Sequence, residues 1–212
     1  MPIKVAIKYC SPEYAREPQP KEVCTLFERC NLTWIYLPCS KLQIEHALQR
    51  SGIADPEDMR FMYEDSALPG EVEAVLELRQ ESIFELNDLA HAIERLTPDG
   101  ISKLGAVVAM AQPEYAFQIR HLAENLDQFE FAPGVRTPAE YGKYIIQESG
   151  HFEYDPNLDE FYDYEKYGLQ RMEQLSGQFV DRGYISYHGA MSLDELMMED
   201  LPQMDFQMGG LS

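Results

Sequence analysis

Apolar and polar residues alternate over residues 3–9 (IKVAIKY), the period-two pattern of a strand. Pro12, Pro18 and Pro20 then break any regular element, which predicts a loop over 11–22. Residues 31–37 (NLTWIYL) are rich in β-branched and aromatic side chains and predict a second strand. Ser40 followed by Gln43 is a capping box, so a helix should open there and run to about Arg50, with Gly52 as its stop. Residues 59–63 (MRFMY) predict a third strand, and Pro69-Gly70 a turn. The first segment is thus a strand–strand–helix–strand unit.

The period changes in the middle of the chain. After a capping box at Ser82 and Glu85, Leu86, Leu89, Ala90, Ile93 and Leu96 recur at helical spacing. Thr97-Pro98 opens a second helix, with Pro at the first helical position, where a missing N–H costs nothing; Ile101, Leu104, Val107, Val108 and Ala111 follow. Pro113 separates it from a third, marked by Tyr115, Ile119, Leu122 and Leu126. Three short helices with short links predict a compact bundle.

Alternation returns over residues 128–135 (QFEFAPGV). Thr137-Pro138-Ala139-Glu140 caps a helix that carries Tyr141, Tyr144 and Ile145 and closes at Gly150. Residues 158–173 predict one further helix, weakened by Gly168, and 177–187 a hairpin turning near Asp181-Arg182-Gly183. Ser192 and Glu195 mark a short helix in a tail that ends the chain as disorder or as an added contact helix. The fold class is therefore α+β, a series of three small domains: mixed α/β over 1–80, a helical bundle over 81–127, and an acidic mixed α/β unit over 128–190, followed by an acidic tail over 191–212.

Charge changes this picture. The 212 residues hold 17 bases and 37 acids, a net charge of −20. Residues 1–70 carry 10 acids and 8 bases, 71–135 carry 12 and 4, and 136–212 carry 15 and 5. The first third is close to neutral, and the excess lies beyond it. So acidic a chain repels nucleic acid and anionic lipid, and favours a cationic partner. No apolar run approaches the ~20 residues of a membrane span, and MPIKVAIKYC lacks a signal-peptide core, so a cytoplasmic protein is expected. Cys10, Cys24, Cys30 and Cys39 have no C-x-x-C spacing and are expected as free thiols.

Familiar reaction chemistry is missing from the pattern. There is no Gly-rich phosphate loop and no G-x-S-x-G, and the five histidines form no H-x-x-x-H pair. From Asp155, the first three ligand positions of an EF-hand loop are filled, but Glu160 stands where Gly is needed and Lys166 where a bidentate Glu is needed. No cofactor and no metal are expected, and no catalytic residues are assigned. An enzyme using a carboxylate pair or a thiol is the weaker alternative; a deep pocket flanked by two acids would favour it. Between Glu148 and Glu165 there are seven acids and no base. Such a run is either a solvated face or an array imitating a phosphate backbone. Duplex DNA carries one charge per ~1.7 Å, so twenty net charges match about 34 Å of duplex, roughly ten base pairs.

Three stretches resemble the antirestriction ArdA family. ESIFELNDLA (81–90) is similar to that family's entry to its helical domain, YEDSALPG (63–70) to an acidic segment before an L-P-G turn, and YDYEKYGLQRMEQLSGQFVDRGYISYHG (162–189) to its Y-x-D-Y-E-x-Y-G helix and following hairpin. The last motif places Tyr162, Asp163 or Tyr164, Glu165, Tyr167, Gly168, Gly177 and Phe179. The likeness extends over residues 32–189. It departs from the family in the segment SPEYAREPQPKEVCTLFERC, in Trp34 without a preceding glycine, and in the tail beyond His188.

The resemblance implies an elongated, curved rod of three small domains that mimics bent DNA. It implies occupation of the DNA-binding groove of type I restriction–modification enzymes (the methyltransferase core), pairing of third domains in a homodimer, and no catalysis. On that footing the phosphate surrogates are Glu124, Asp127, Glu130, Glu140, Glu148, Glu153, Asp155, Asp159, Glu160, Asp163 and Glu165. Phe129, Phe131 and Tyr141 are the dimer-interface candidates. The alternative from another class is an acidic adaptor that binds some other basic or DNA-binding protein.

Overall fold

The computed structural model describes residues 3–9, 33–56, 59–78, 81–150 and 153–198. The loop expected over 11–22, and Cys10, Cys24 and Cys30, lie outside them. Strands β1 (Ile3–Tyr9), β2 (Thr33–Leu37) and β3 (Met59–Ser66) form an antiparallel sheet in the order β2-β1-β3. Val5 sits opposite Ile35 on one side and Tyr63 on the other. Alternation sends Ile3, Val5, Ile7, Ile35 and Leu37 to one buried face. Helix α1 (Lys41–Arg50) supplies Ile44, Ala47 and Leu48 to the same cluster. Its start is the expected reciprocal box: Ser40 accepts from the Gln43 N–H, and the Gln43 side chain accepts from the Ser40 N–H.

Helix α2 (Gly70–Leu78) occupies a stretch read only as a turn. Glu71 and Glu73 sit in its first turn, where the helix dipole favours acids, and Val72 and Leu76, one turn apart, are buried. Helices α3 (Ile83–Glu94), α4 (Pro98–Ala111) and α5 (Ala116–Glu124) occupy the three stretches read as helices, and each contributes to one buried cluster. Ser82 caps α3 through the Phe84 N–H, and Thr97 caps α4 through the Gly100 N–H. Gln112, at φ 51, ends α4 in the left-handed region just before Pro113.

After a 3-10 turn at Leu126–Gln128 come β4 (Phe129–Pro133) and α6 (Pro138–Gln147). A second 3-10 segment, Pro156–Phe161, precedes α7 (Tyr164–Gln174), and β5 (Ser176–Val180) and β6 (Gly183–Tyr187) form the hairpin. The second sheet is antiparallel, in the order β4-β6-β5. The fold is mixed α/β with two small antiparallel sheets.

The single helix expected over 158–173 is therefore two elements. A continuous helix would set Asp159 against Asp163 at like-charge spacing. The chain breaks instead at Tyr162, and Asp163 becomes the N-cap of α7, accepting the Lys166 N–H at 3.1 Å. Gly168 has a packing reason beyond helix propensity. A Cβ there would run into the Pro138 carbonyl, and a Cβ at Gly142 into the Tyr164 carbonyl, so α6 and α7 cross backbone to backbone.

One buried cluster runs without interruption from the first sheet through α3, α4 and α5 to Phe129 and Ile185, across the expected borders near 80 and 127. A smaller cluster joins Ala132, Val135, Tyr141, Ile145 and Tyr184 under α6 and α7. The start of the tail is ordered: α8 (Leu193–Leu196) has a complete capping box at Ser192 and Glu195, and Leu196 and Met197 are buried in the main cluster. Residues 199–212 lie outside the described part.

Candidate interaction surface

The eleven proposed surrogates fall on consecutive elements. Glu124 ends α5, Asp127 lies on the first 3-10 turn and Glu130 on β4. Glu140 and Glu148 lie on α6 and at its C-cap, Glu153 and Asp155 on the connection, Asp159 and Glu160 on the second 3-10 segment, and Asp163 and Glu165 at the start of α7. All but Glu130 are exposed; Glu130 is half-buried. From Glu140 onward they belong to one packed unit, because α6 and α7 are in direct backbone contact.

These carboxylates are not equivalent. Glu124 pairs with Arg120 at 3.5 Å. Asp127 and Glu130 act on Lys103: burial pushes its ammonium down from the ordinary lysine range, and the two acids pull it back. Glu140 accepts the Arg136 N–H at 2.7 Å, ahead of the helix that Thr137 caps. Asp155 accepts the Asn157 N–H, and Asp163 the Lys166 N–H. Among the described residues, no hydrogen bond or ion pair engages the carboxylates of Glu148, Glu153, Glu160 or Glu165. Asp127 and Glu130 reach Lys103 only through tertiary packing, whereas Arg120 and Glu124 are four residues apart on one helix.

Asp159 is the most constrained of the set. The Tyr154 hydroxyl donates to its Oδ1 at 2.6 Å, the Gln147 amide donates at 2.8 Å, and the Tyr164 hydroxyl donates to the same oxygen. Gln147 Nε2 also lies 3.1 Å from the Tyr154 oxygen and 2.8 Å from the Tyr164 oxygen. The Tyr154 and Tyr164 hydroxyls hold the Asp159 carboxyl below its ordinary range, with help from Lys143 and Gln147. The same bond raises Tyr154, and burial and that bond raise Tyr164, so both keep the protons they donate. The Tyr162 ring lies tilted against both, 5.9 Å from Tyr154 and 5.8 Å from Tyr164. The clasp ties the 3-10 segment to α6 and α7.

The three proposed dimer residues separate. Phe129 (2% exposed) and Tyr141 (0%) are closed inside the chain's own core. The Phe129 ring meets Tyr187 at 4.9 Å, and the Tyr141 ring meets Tyr184 at 4.2 Å. Their side chains present almost no surface to a second copy in this arrangement. Phe131 is half-buried and keeps an accessible part.

Elsewhere, Cys39 is a free thiol whose pKa burial raises. A groove of about 650 Å³ beside it is lined by Trp34, Tyr36, His46 and Arg50 among others, with no carboxylate among the described residues that line it. Among the described residues no cluster of His, Cys, Asp and Glu is placed to hold a metal ion, and no helix is long and apolar enough to cross a membrane.

A surface of exposed carboxylates carried on closely packed helices is suited to bind cations or a cationic protein. The family model for antirestriction protein (ArdA) matches residues 31–186, 156 of the 212 residues. The chain belongs to the antirestriction protein (ArdA) family, and antirestriction is the function that membership gives it. No curated protein matches the chain.

Proposed function

We propose that the protein inhibits type I restriction–modification enzymes by placing its acidic face in their DNA-binding groove. One observation carries the reading: the eight acids from Glu140 to Glu165 lie on one packed unit and all are exposed. Partners of DNA recognise phosphates through lysine, arginine and backbone N–H groups, and a rigid carboxylate array offers them the same charge. In this reading the chain acts as three units docked in series, bounded near residues 80 and 127, and pairs with a second copy through the third. Phe131 is the one of the three aromatic candidates whose side chain retains accessible surface for that contact.

Glu148, Glu153, Glu160 and Glu165 make the cleanest test, because no hydrogen bond or ion pair among the described residues engages their carboxylates. Their joint replacement by Lys changes the local charge by eight units, counted from four changes of two each. It should abolish inhibition of a type I enzyme while the far-ultraviolet circular dichroism stays that of the parent. A quadruple variant that inhibits as well as the parent would remove these acids from the reading.

A further inference from the structure

We propose that Phe161, with Leu158 beside it, is an apolar anchor set within the acidic face, and that it docks into the basic groove of the restriction enzyme. The proposal rests on the reading given above and adds to it a contact that charge does not supply.

The Pro156–Phe161 segment contains no buried residue. Phe161 is 75% exposed and Leu158 47% exposed, while Asp159 and Glu160 lie between them. This exposure does not come from a loose loop. Asp155 caps the start of the segment through the Asn157 N–H, and Asp159 in its middle receives the Tyr154, Tyr164 and Gln147 donors. The Tyr162 N–H, just beyond, closes on the Asp159 carbonyl at 3.3 Å. A phenyl ring held out to water on a braced turn loses little further freedom when it is covered. Protein interfaces place such aromatics at their centre and polar groups around them.

Charge selects the occupant. Residues 153–166 hold six acids and one base, Lys166, and Lys143 approaches Asp159 from α6. Two such faces repel, so a second copy of this chain is disfavoured and a cationic groove is favoured. A groove that binds duplex DNA meets bases and sugars as well as phosphates, through arginine forks and apolar side chains. Guanidinium planes also stack on a phenyl face. Phe161 among carboxylates therefore offers such a groove both kinds of contact.

The experiment titrates the full chain into a type I enzyme cleaving unmodified plasmid, at several salt concentrations. Phe161→Ser should raise the half-inhibitory concentration about tenfold or more, with unchanged melting temperature and circular dichroism. The slope of log affinity against log salt should stay that of the parent, because the lost contact is not ionic. Phe161→Trp should retain inhibition. Phe161→Glu separates the mechanisms: an anchor predicts weaker inhibition, and a purely ionic face predicts equal or tighter inhibition. Equal or tighter inhibition by Phe161→Glu, or parent-like inhibition by Phe161→Ser, would overturn the anchor alone. A change of oligomeric state by Phe161→Ser in sedimentation would reassign the patch to self-contact and overturn it too. No inhibition by the parent chain would overturn the underlying reading, and the anchor with it.

Discussion

Arg182, at the turn of the β5–β6 hairpin, donates to Glu71 on α2 through two bonds of 2.7 and 2.8 Å, across 111 residues of sequence. The pair is bidentate, which fixes orientation as well as distance. It lies over Gly105 of α4, where an added Cβ would strike the guanidinium. Three elements that are remote in sequence meet at this point.

Removing the pair should loosen that meeting. Both side chains are roughly a quarter to a third exposed, so solvent weakens the attraction. Arg182→Ala should lower the unfolding free energy by about 1–2 kcal/mol in urea titration at neutral pH.

The pair also gives a pH signature. The Arg182 bond holds the Glu71 carboxyl below its ordinary value of 4.5. A depressed folded-state pKa stabilises the fold above the unfolded value, and that stabilisation is lost as pH falls through the folded value. The parent chain should therefore lose more stability than Arg182→Ala as pH falls below about 4.5. Parallel stability curves for the two chains across that window would show the pair to be inert.

Gly168→Ala should be far more damaging than an ordinary glycine-to-alanine change within a helix. Alanine there gains helix propensity but drives its methyl into the Pro138 carbonyl on the facing helix. Overpacking of this kind costs about 1–3 kcal/mol or more. A melting temperature equal to or above the parent's would contradict the backbone crossing.

Tyr141→Phe should have the opposite sign. The Tyr141 hydroxyl is buried and has no hydrogen-bond partner among the described residues, and desolvation raises its pKa strongly. Deleting it removes an unsatisfied polar atom, so the variant should be as stable as the parent or more stable by up to about 1 kcal/mol. Phe129→Ala, by contrast, should cost about 3–5 kcal/mol through an internal cavity, independent of protein concentration. A concentration-dependent loss would return Phe129 to a subunit contact.

The elements that local chemistry specifies were legible in the sequence. Ser40 with Gln43, Thr97 with Pro98 and Thr137 with Pro138 each mark a helix start that the fold uses. The helix at Gly70–Leu78 was hidden because Pro69-Gly70 reads as a turn, although the same Pro also suits a helix entry. The break at Tyr162 was hidden for another reason. Asp159 is satisfied by Gln147, twelve residues back, and by Tyr154 and Tyr164, five residues to either side. Helical periodicity does not report such partners. The acids themselves were legible as a set, but which of them are engaged was not: Glu124, Glu140, Asp155 and Asp163 bond partners within four residues whose geometry the helix ends and turns fix. For Phe129 and Tyr141, aromatic character alone did not separate a core residue from a contact residue; burial does.

If exposed carboxylates stand in for DNA phosphates, inhibition is Coulombic and salt relieves it. The most direct measurement titrates the purified protein into a type I restriction enzyme cutting unmodified plasmid, at low and at moderate salt. A Coulombic contact is screened over ~10 Å at 0.1 M salt. Near-stoichiometric inhibition at low salt, relieved by added salt, is expected. Cleavage undiminished by excess protein at low salt would contradict it.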